Sequence, residues 1–256
     1  MPRQLEIKLA VSIVLPLIEL IRQQADLLKA REQNIPQDET MRLQISSMEV
    51  QRLLGLFSHP DFPNTGRITI AETACPTVLR ACSFLRLQLR GNALSAISDE
   101  VLETGLDLNL YTGEENRNVT CYSFLATLQE EILKRFPIPA ALRTSTVTGW
   151  RDLYSAIGKF FPKRRRSTDT PAIIADSSST NEAWQVVVLN DPVNLMSYVT
   201  GVFRSVLNLP EKVAQQRMRE VHELKSSMVW QGPKDQAEAN VRALQSWHLQ
   251  AVLQRE

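Results

Sequence analysis

The residues of this chain whose types suit chemistry are a polar corner and a histidine well downstream of it. The corner, Asn190-Asp191-Pro192-Val193-Asn194, follows the β-branched run Val186-Val187-Val188-Leu189 and precedes a segment of helical spacing that contains Met196 and Val199. His222 lies 32 positions after Asn190. An acid and an amide at such a corner can face a small ligand while regular elements on both sides hold them still. Each also has a plainer reading. Asn-Asp-Pro suits an ordinary turn and helix cap, a lone histidine on an apolar helix face is usually a satisfied core residue, and methionines at helical spacing usually fill a core.

Nothing else in the sequence suggests catalysis. It has no P-loop, no Ser/His/Asp or Cys/His arrangement and no metal-ligand spacing, so the expectation is a non-enzyme without cofactor or metal. His59 sits in the breaker-rich segment 58–66 with no second histidine at ligand spacing and reads as a loop residue.

The elements that must position the corner follow from periodicity. Trp184–Leu189 reads as a strand. Asn194 is the expected N-cap of a helix with Met196, Val199, Phe203 and Val206 on one face. Pro210 opens the next helix, with Val213, Ala214, Met218, Val221 and His222 along its buried side. Ser227–Gln231 is a short strand, Gly232-Pro-Lys-Asp starts a third helix through Ala237, Val241 and Leu244, and Leu249–Leu253 closes as a last strand. The order β-α-α-β-α-β predicts an α+β sandwich with a three-stranded sheet backed by helices.

Two segments at a fixed separation, Leu189-Asn-Asp-Pro-Val-Asn-Leu-Met-Ser-Tyr-Val199 and Met218-Arg-Glu-Val-His222, resemble the ClpS adaptors. These bacterial proteins recognise N-degrons and pass them to a Clp AAA+ unfoldase (ClpA- or ClpC-type) coupled to the ClpP protease. The resemblance runs from Trp184 to about Leu244. It implies that Asn190, Asp191 and His222 accept the three donors of a peptide ammonium group. Met196, Val199, Met218, Val221 and Leu249 would then line a pocket for Leu, Phe, Tyr or Trp. A neutral imidazole is required at His222, so binding should weaken at acid pH. Asp235 keeps an acidic position on the surface that the family turns to the unfoldase, whereas Asn240 replaces a base there and Trp230 adds bulk. Pro192 stands where many members carry a second acid, and Lys225 where a glycine is common after the second helix. The alternative is a ClpS-fold regulatory or structural module that binds the unfoldase or another partner without N-degron recognition.

Ahead of this part the pattern is helical. Apolar residues recur at three and four positions from Leu5 to Arg31, then in segments 41–57, 76–91, 98–113 and 124–136. Residues 1–161 are therefore expected to form an all-α N-terminal domain of unknown role, with dimerisation or a further partner as its contribution. It closes with an amphipathic helix at 148–161. Residues 162–183, starting with the basic run Lys163–Arg166, read as a flexible linker, and 184–256 as the ClpS-like domain.

Composition bounds the rest. Among 256 residues, 29 Lys and Arg against 28 Asp and Glu give a net charge of +1, so nucleic-acid binding is not expected. Three cysteines without Cys-x-x-Cys spacing suit a reducing, cytoplasmic setting rather than a disulfide framework. Arg3 and Lys8 followed by Leu9–Ile21 imitate a signal peptide. Glu6, Pro16, Glu19, the missing cleavage site and the short run argue against that and against a membrane span.

Overall fold

A computed structural model describes residues 3–32, 37–98, 101–102, 113–138 and 183–255. The helix expected at 148–161, the basic run and the tether lie outside the described residues, as does most of the helix expected at 98–113.

The first segment departs from the all-α expectation. Strand β1 (Gln4–Lys8) pairs antiparallel with β2 (Arg67–Ala71), Leu5 opposite Ile70 and Ile7 opposite Ile68. The apolar members of this alternation face the core. Between them, Glu6 meets Arg67 at 2.7 Å on the solvent side. Two apolar positions per strand are too few to distinguish a period of two from the helical period that continues into α1 (Val11–Glu32). The Leu9 N–H closes the pair by donating to the Gly66 carbonyl at 2.7 Å. Gly66 has φ 65°, and a Cβ there would collide with the Leu9 carbonyl, so the turn requires glycine.

Helices α2 (Gln37–Gly55), the short α3 (Phe62–Thr65), α4 (Cys75–Gly91) and α5 (Gly113–Arg135) complete the helical region. Leu17, Ile21, Leu53, Leu79, Leu85, Leu89, Leu125 and Ile132 fill its core. Pro76 occupies the first turn of α4, where its missing N–H costs no helical bond. Cys75, Cys82 and Cys121 are free and buried, and burial raises each thiol pKa, that of Cys75 to about 11.

The C-terminal part runs β3 (Trp184–Leu189), α6 (Met196–Leu207), α7 (Glu211–Leu224), β4 (Ser226–Gly232), α8 (Lys234–Ser246) and β5 (Ala251–Arg255). The strands form an antiparallel sheet in the order β4-β3-β5. Val186 and Val188 of the central strand are buried, as are Val202 and Phe203 of α6, Ala214 of α7 and Leu244 of α8. Tyr198 is fully buried, and its hydroxyl donates to the Trp247 carbonyl at 2.9 Å, which satisfies the one polar atom it brings into the core.

Helix α4 packs against both parts. Its Ser83 hydroxyl donates to the Asn194 side-chain oxygen, and Phe84 stacks on His248 with ring centroids 5.3 Å apart. Arg80 bonds the buried Glu49 carboxylate at 2.6 Å and lies over the Trp247 ring, 4.8 Å from its centroid. Close approach is also built in at Gly201 of α6, where a Cβ would come within 3.1 Å of the Ile138 Cδ1.

Lys225 ends α7 with φ 68° and ψ −6°, a left-handed conformation that costs an L-residue about 1–2 kcal/mol. Glycine removes that strain, while its freer unfolded chain takes back about 0.5–1 kcal/mol. Lys225→Gly is therefore expected to raise the unfolding free energy by about 0.5–1 kcal/mol. Urea denaturation of the two proteins measures this, and a loss of stability would contradict the strain assignment.

Candidate functional site

The corner after β3 is fixed at both ends by backbone bonds. The Leu189 N–H donates to the Gln250 carbonyl and the Asn190 N–H to the Lys225 carbonyl, each at 2.8 Å. The strained Lys225 turn thus holds Asn190 in place. Within the corner, one Asp191 carboxylate oxygen accepts the Val193 N–H at 2.9 Å and the other accepts the Asn194 side-chain amide at 3.1 Å.

Asn194 is not the N-cap of α6. The cap position is Leu195, which has no side-chain capping bond. The Asn194 amide is instead spent on tertiary contacts: its nitrogen donates to Asp191 and, at 3.3 Å, to the His248 carbonyl, while its oxygen accepts from Ser83. Buried as it is, this side chain is worth more joining three segments than capping a helix end close to solvent.

Burial raises the Asp191 carboxyl pKa above the ordinary aspartate value. The Val193 N–H, the Arg86 guanidinium and the Asn194 amide act in the opposite direction without cancelling it. Arg86 acts on Asp191 through space. Its own guanidinium lies 4.5 Å from the centroid of the Tyr122 ring and donates from Nη1 to Gln129 at 3.2 Å.

Asn190, Asp191, Met196, Val199, Met218, Val221, His222 and Leu249 all line one cavity of about 490 Å³. Val199, Val221 and Leu249 are buried in its floor, whereas Met196 is 45% exposed at its rim, next to the exposed Pro192. His222 is half-buried on α7, one residue after Val221. The lining thus combines buried apolar side chains with an amide, a carboxylate and an imidazole. Such a site can accept hydrogen bonds from a cationic head while it covers an apolar tail. Asp235 does not share it and stands exposed in the first turn of α8.

The helical region also contributes to the lining. Arg86 of α4 and Tyr122, Ser123, Ala126, Thr127 and Glu130 of α5 line the same cavity. Sequence reasoning assigned none of them. One signal was present: Arg86 stands seven positions after Leu79 and four after Cys82, on the apolar face of α4, and a charge in that place demands a partner or a function. No group of acidic, histidine or cysteine side chains able to hold a metal occurs among the described residues. No described helix is long and apolar enough to cross a membrane.

Residues 179–252 match the family model of the ATP-dependent Clp protease adaptor protein ClpS. The matched relatives bear the name ATP-dependent Clp protease adapter protein ClpS. That of Corynebacterium diphtheriae is 39% identical over 89 residues, which is 35% of this chain and 79% of the relative. That of Corynebacterium glutamicum strain R is 44% identical over 78 residues, covering 30% and 78%. The Streptomyces coelicolor protein is 40% identical over 73 residues, covering 28% and 76%. With a family match that takes in the corner, His222, two strands of the second sheet and the start of the third, and with relatives aligned over three quarters of their length, this chain belongs to the ClpS family of Clp protease adaptors.

Proposed function

We propose that the chain is a non-enzymatic adaptor that binds proteins whose first residue is Leu, Phe, Tyr or Trp and delivers them to a Clp AAA+ unfoldase. The observation that carries this reading is that all eight residues expected to receive such an N-terminus, three with polar acceptors and five apolar, line a single cavity. The ammonium group donates to the Asn190 amide oxygen, the Asp191 carboxylate and a neutral His222 ring, and the first side chain settles among Val199, Met218, Val221 and Leu249. Unbranched methionines at 196 and 218 adapt to several side chains, whereas a β-branched first residue presses on the rim. Burying one such side chain contributes roughly 1.5–3 kcal/mol and each charge-assisted bond about as much, against several kcal/mol for association. The balance is a micromolar complex, loose enough to hand its cargo on. Asp235, exposed and outside the cavity, is placed in this reading on the unfoldase-facing surface.

A second reading has its own support. Both Asp191 oxygens already accept bonds within the corner, and Arg86 places a cation in the same cavity. On that reading the chain regulates an unfoldase without taking N-terminal residues.

Peptides beginning with Leu or Phe are expected to bind at least tenfold tighter than the same peptides beginning with Met or carrying an acetylated amine, by calorimetry or fluorescence anisotropy. Equal affinities, with unfoldase capture intact, would select the second reading. His222→Ala is expected to weaken Leu-peptide binding by about tenfold to a hundredfold, the loss of one hydrogen bond to a charged group. This substitution is cleaner than a change at Asp191, whose oxygens also hold the turn.

The affinity should also fall with pH. Ammonium binding requires the ionised Asp191 carboxylate, and burial raises its pKa, so the charge, and with it the affinity, is lost as the pH falls through that raised value. A titration from pH 7.5 to 5 measured with a Leu-first peptide tests the sign, and tighter binding at the acid end would contradict it.

A further inference from the structure

The cavity holds a cation that recognition of an ammonium group does not use. Arg86 is only 4% exposed, it lines the cavity with Asp191, and its Nε has no hydrogen-bond partner. A buried guanidinium nitrogen without an acceptor is costly, and the acceptor that best fits a guanidinium is a carboxylate. Its fixed neighbours do not supply one: Gln129 takes Nη1 and the Tyr122 ring covers a face. Asp191 turns its oxygens to Val193 and Asn194.

Charge balance leads the same way. A ligand that brings only an ammonium group to Asp191 adds a second positive charge beside Arg86, and the repulsion opposes it. A ligand that brings an ammonium and a carboxylate together meets Asp191 and Arg86 with the opposite sign, while the third charge in the lining, Glu130, is exposed to solvent.

We propose that Arg86 makes this cavity a site for zwitterionic apolar α-amino acids, the α-ammonium on Asn190 and Asp191, the α-carboxylate on Arg86 and the side chain on the apolar floor. This assignment rests on the same reading of Asn190 and Asp191 given under the proposed function, and adds a second ligand class that competes with protein N-termini for one site. The helical region is then a part of the binding site, since it supplies Arg86 from α4 and further lining residues from α5. A peptide whose second residue is acidic carries the same pair of charges farther apart and is the other source of this chemistry.

Calorimetry on the full chain with L-leucine, L-leucinamide, the peptide amides Leu-Ala-Ala and Leu-Asp-Ala, and N-acetyl-L-leucine tests the proposal. The expected result is that L-leucine binds about tenfold tighter than L-leucinamide and displaces a labelled Leu-first peptide, while N-acetyl-L-leucine does not bind. Leucinamide equal to or tighter than leucine in the unmodified protein overturns the proposal without any variant. So does Leu-Asp-Ala binding tightly while leucine does not, which assigns Arg86 to the second residue of a peptide. If leucine binds and Leu-first peptides do not, the zwitterion site stands and the adaptor reading falls. If Leu-first peptides bind and leucine does not, the reverse holds, and if nothing binds both fall. Arg86→Met is expected to abolish the preference for leucine over leucinamide and, by removing the repulsion, to tighten leucinamide binding. Arg86→Lys, which keeps the buried charge if the methionine variant does not fold, is expected to retain a reduced preference, and an unchanged preference in both variants contradicts the role of Arg86.

Discussion

The side-chain amide of Asn194 is the contact on which the arrangement of the corner depends. It has one carbonyl and one NH₂ group, and the structure uses both: the oxygen takes the Ser83 hydroxyl from α4, and the nitrogen serves Asp191 and the His248 carbonyl. These partners belong to the helical region, to the corner itself and to the loop between α8 and β5. A buried amide satisfied by three segments fixes their relative positions, because displacing any one leaves an unpaired polar atom in the interior. The Asp191 carboxylate is set by this amide, and Asn190 by the neighbouring bond to the Lys225 carbonyl.

That arrangement couples the helical region to the cavity. Helix α4 sends Ser83 to Asn194, Phe84 to His248 and Arg86 to the cavity lining; Ser83 and Arg86, three residues apart, share a helix face, and Phe84 lies beside it. Arg80, one turn earlier, is held between Glu49 and the Trp247 ring. The same junction places the half-buried His248 with its Nε2 3.7 Å from Glu49 Oε2. The residues before 179, which the family match does not reach, thus supply part of the cavity lining and the contacts that hold Asn194 and His248.

How far each feature could be read from the sequence depends on the range of the interaction behind it. The C-terminal helices were legible as helices because each buries a face whose period is local, although α6 buries Tyr198 and Val202 beside the expected Val199 and Phe203 while Met196 is exposed, and in α7 Val213 is exposed beside the buried Ala214 and Val221. The family resemblance marked Lys225 as standing where a glycine is common, and the backbone there is left-handed, a conformation glycine adopts without strain. The β1–β2 pair was not legible, since Leu5 and Ile7 carry the same apolar spacing into a helix as into a strand, and only their partners 61 or more positions away, Ile68 and Ile70, decide between the two.

The sequence by itself determined the succession of elements after Trp184, the polar corner, the histidine at its fixed separation and the apolar residues between them, because these follow from local periodicity and from spacing along a short stretch of chain. Tertiary structure alone decided what faces the corner. Ser83 and Asn194 are 111 positions apart, and Arg86 reaches Asp191 across a comparable span that no local pattern links. A hydrogen bond or a charge interaction between such residues leaves no period in the sequence. It exists only because α4 packs against both parts of the molecule, and this packing also brings Arg86 and the α5 side chains into the same cavity lining as the carboxylate.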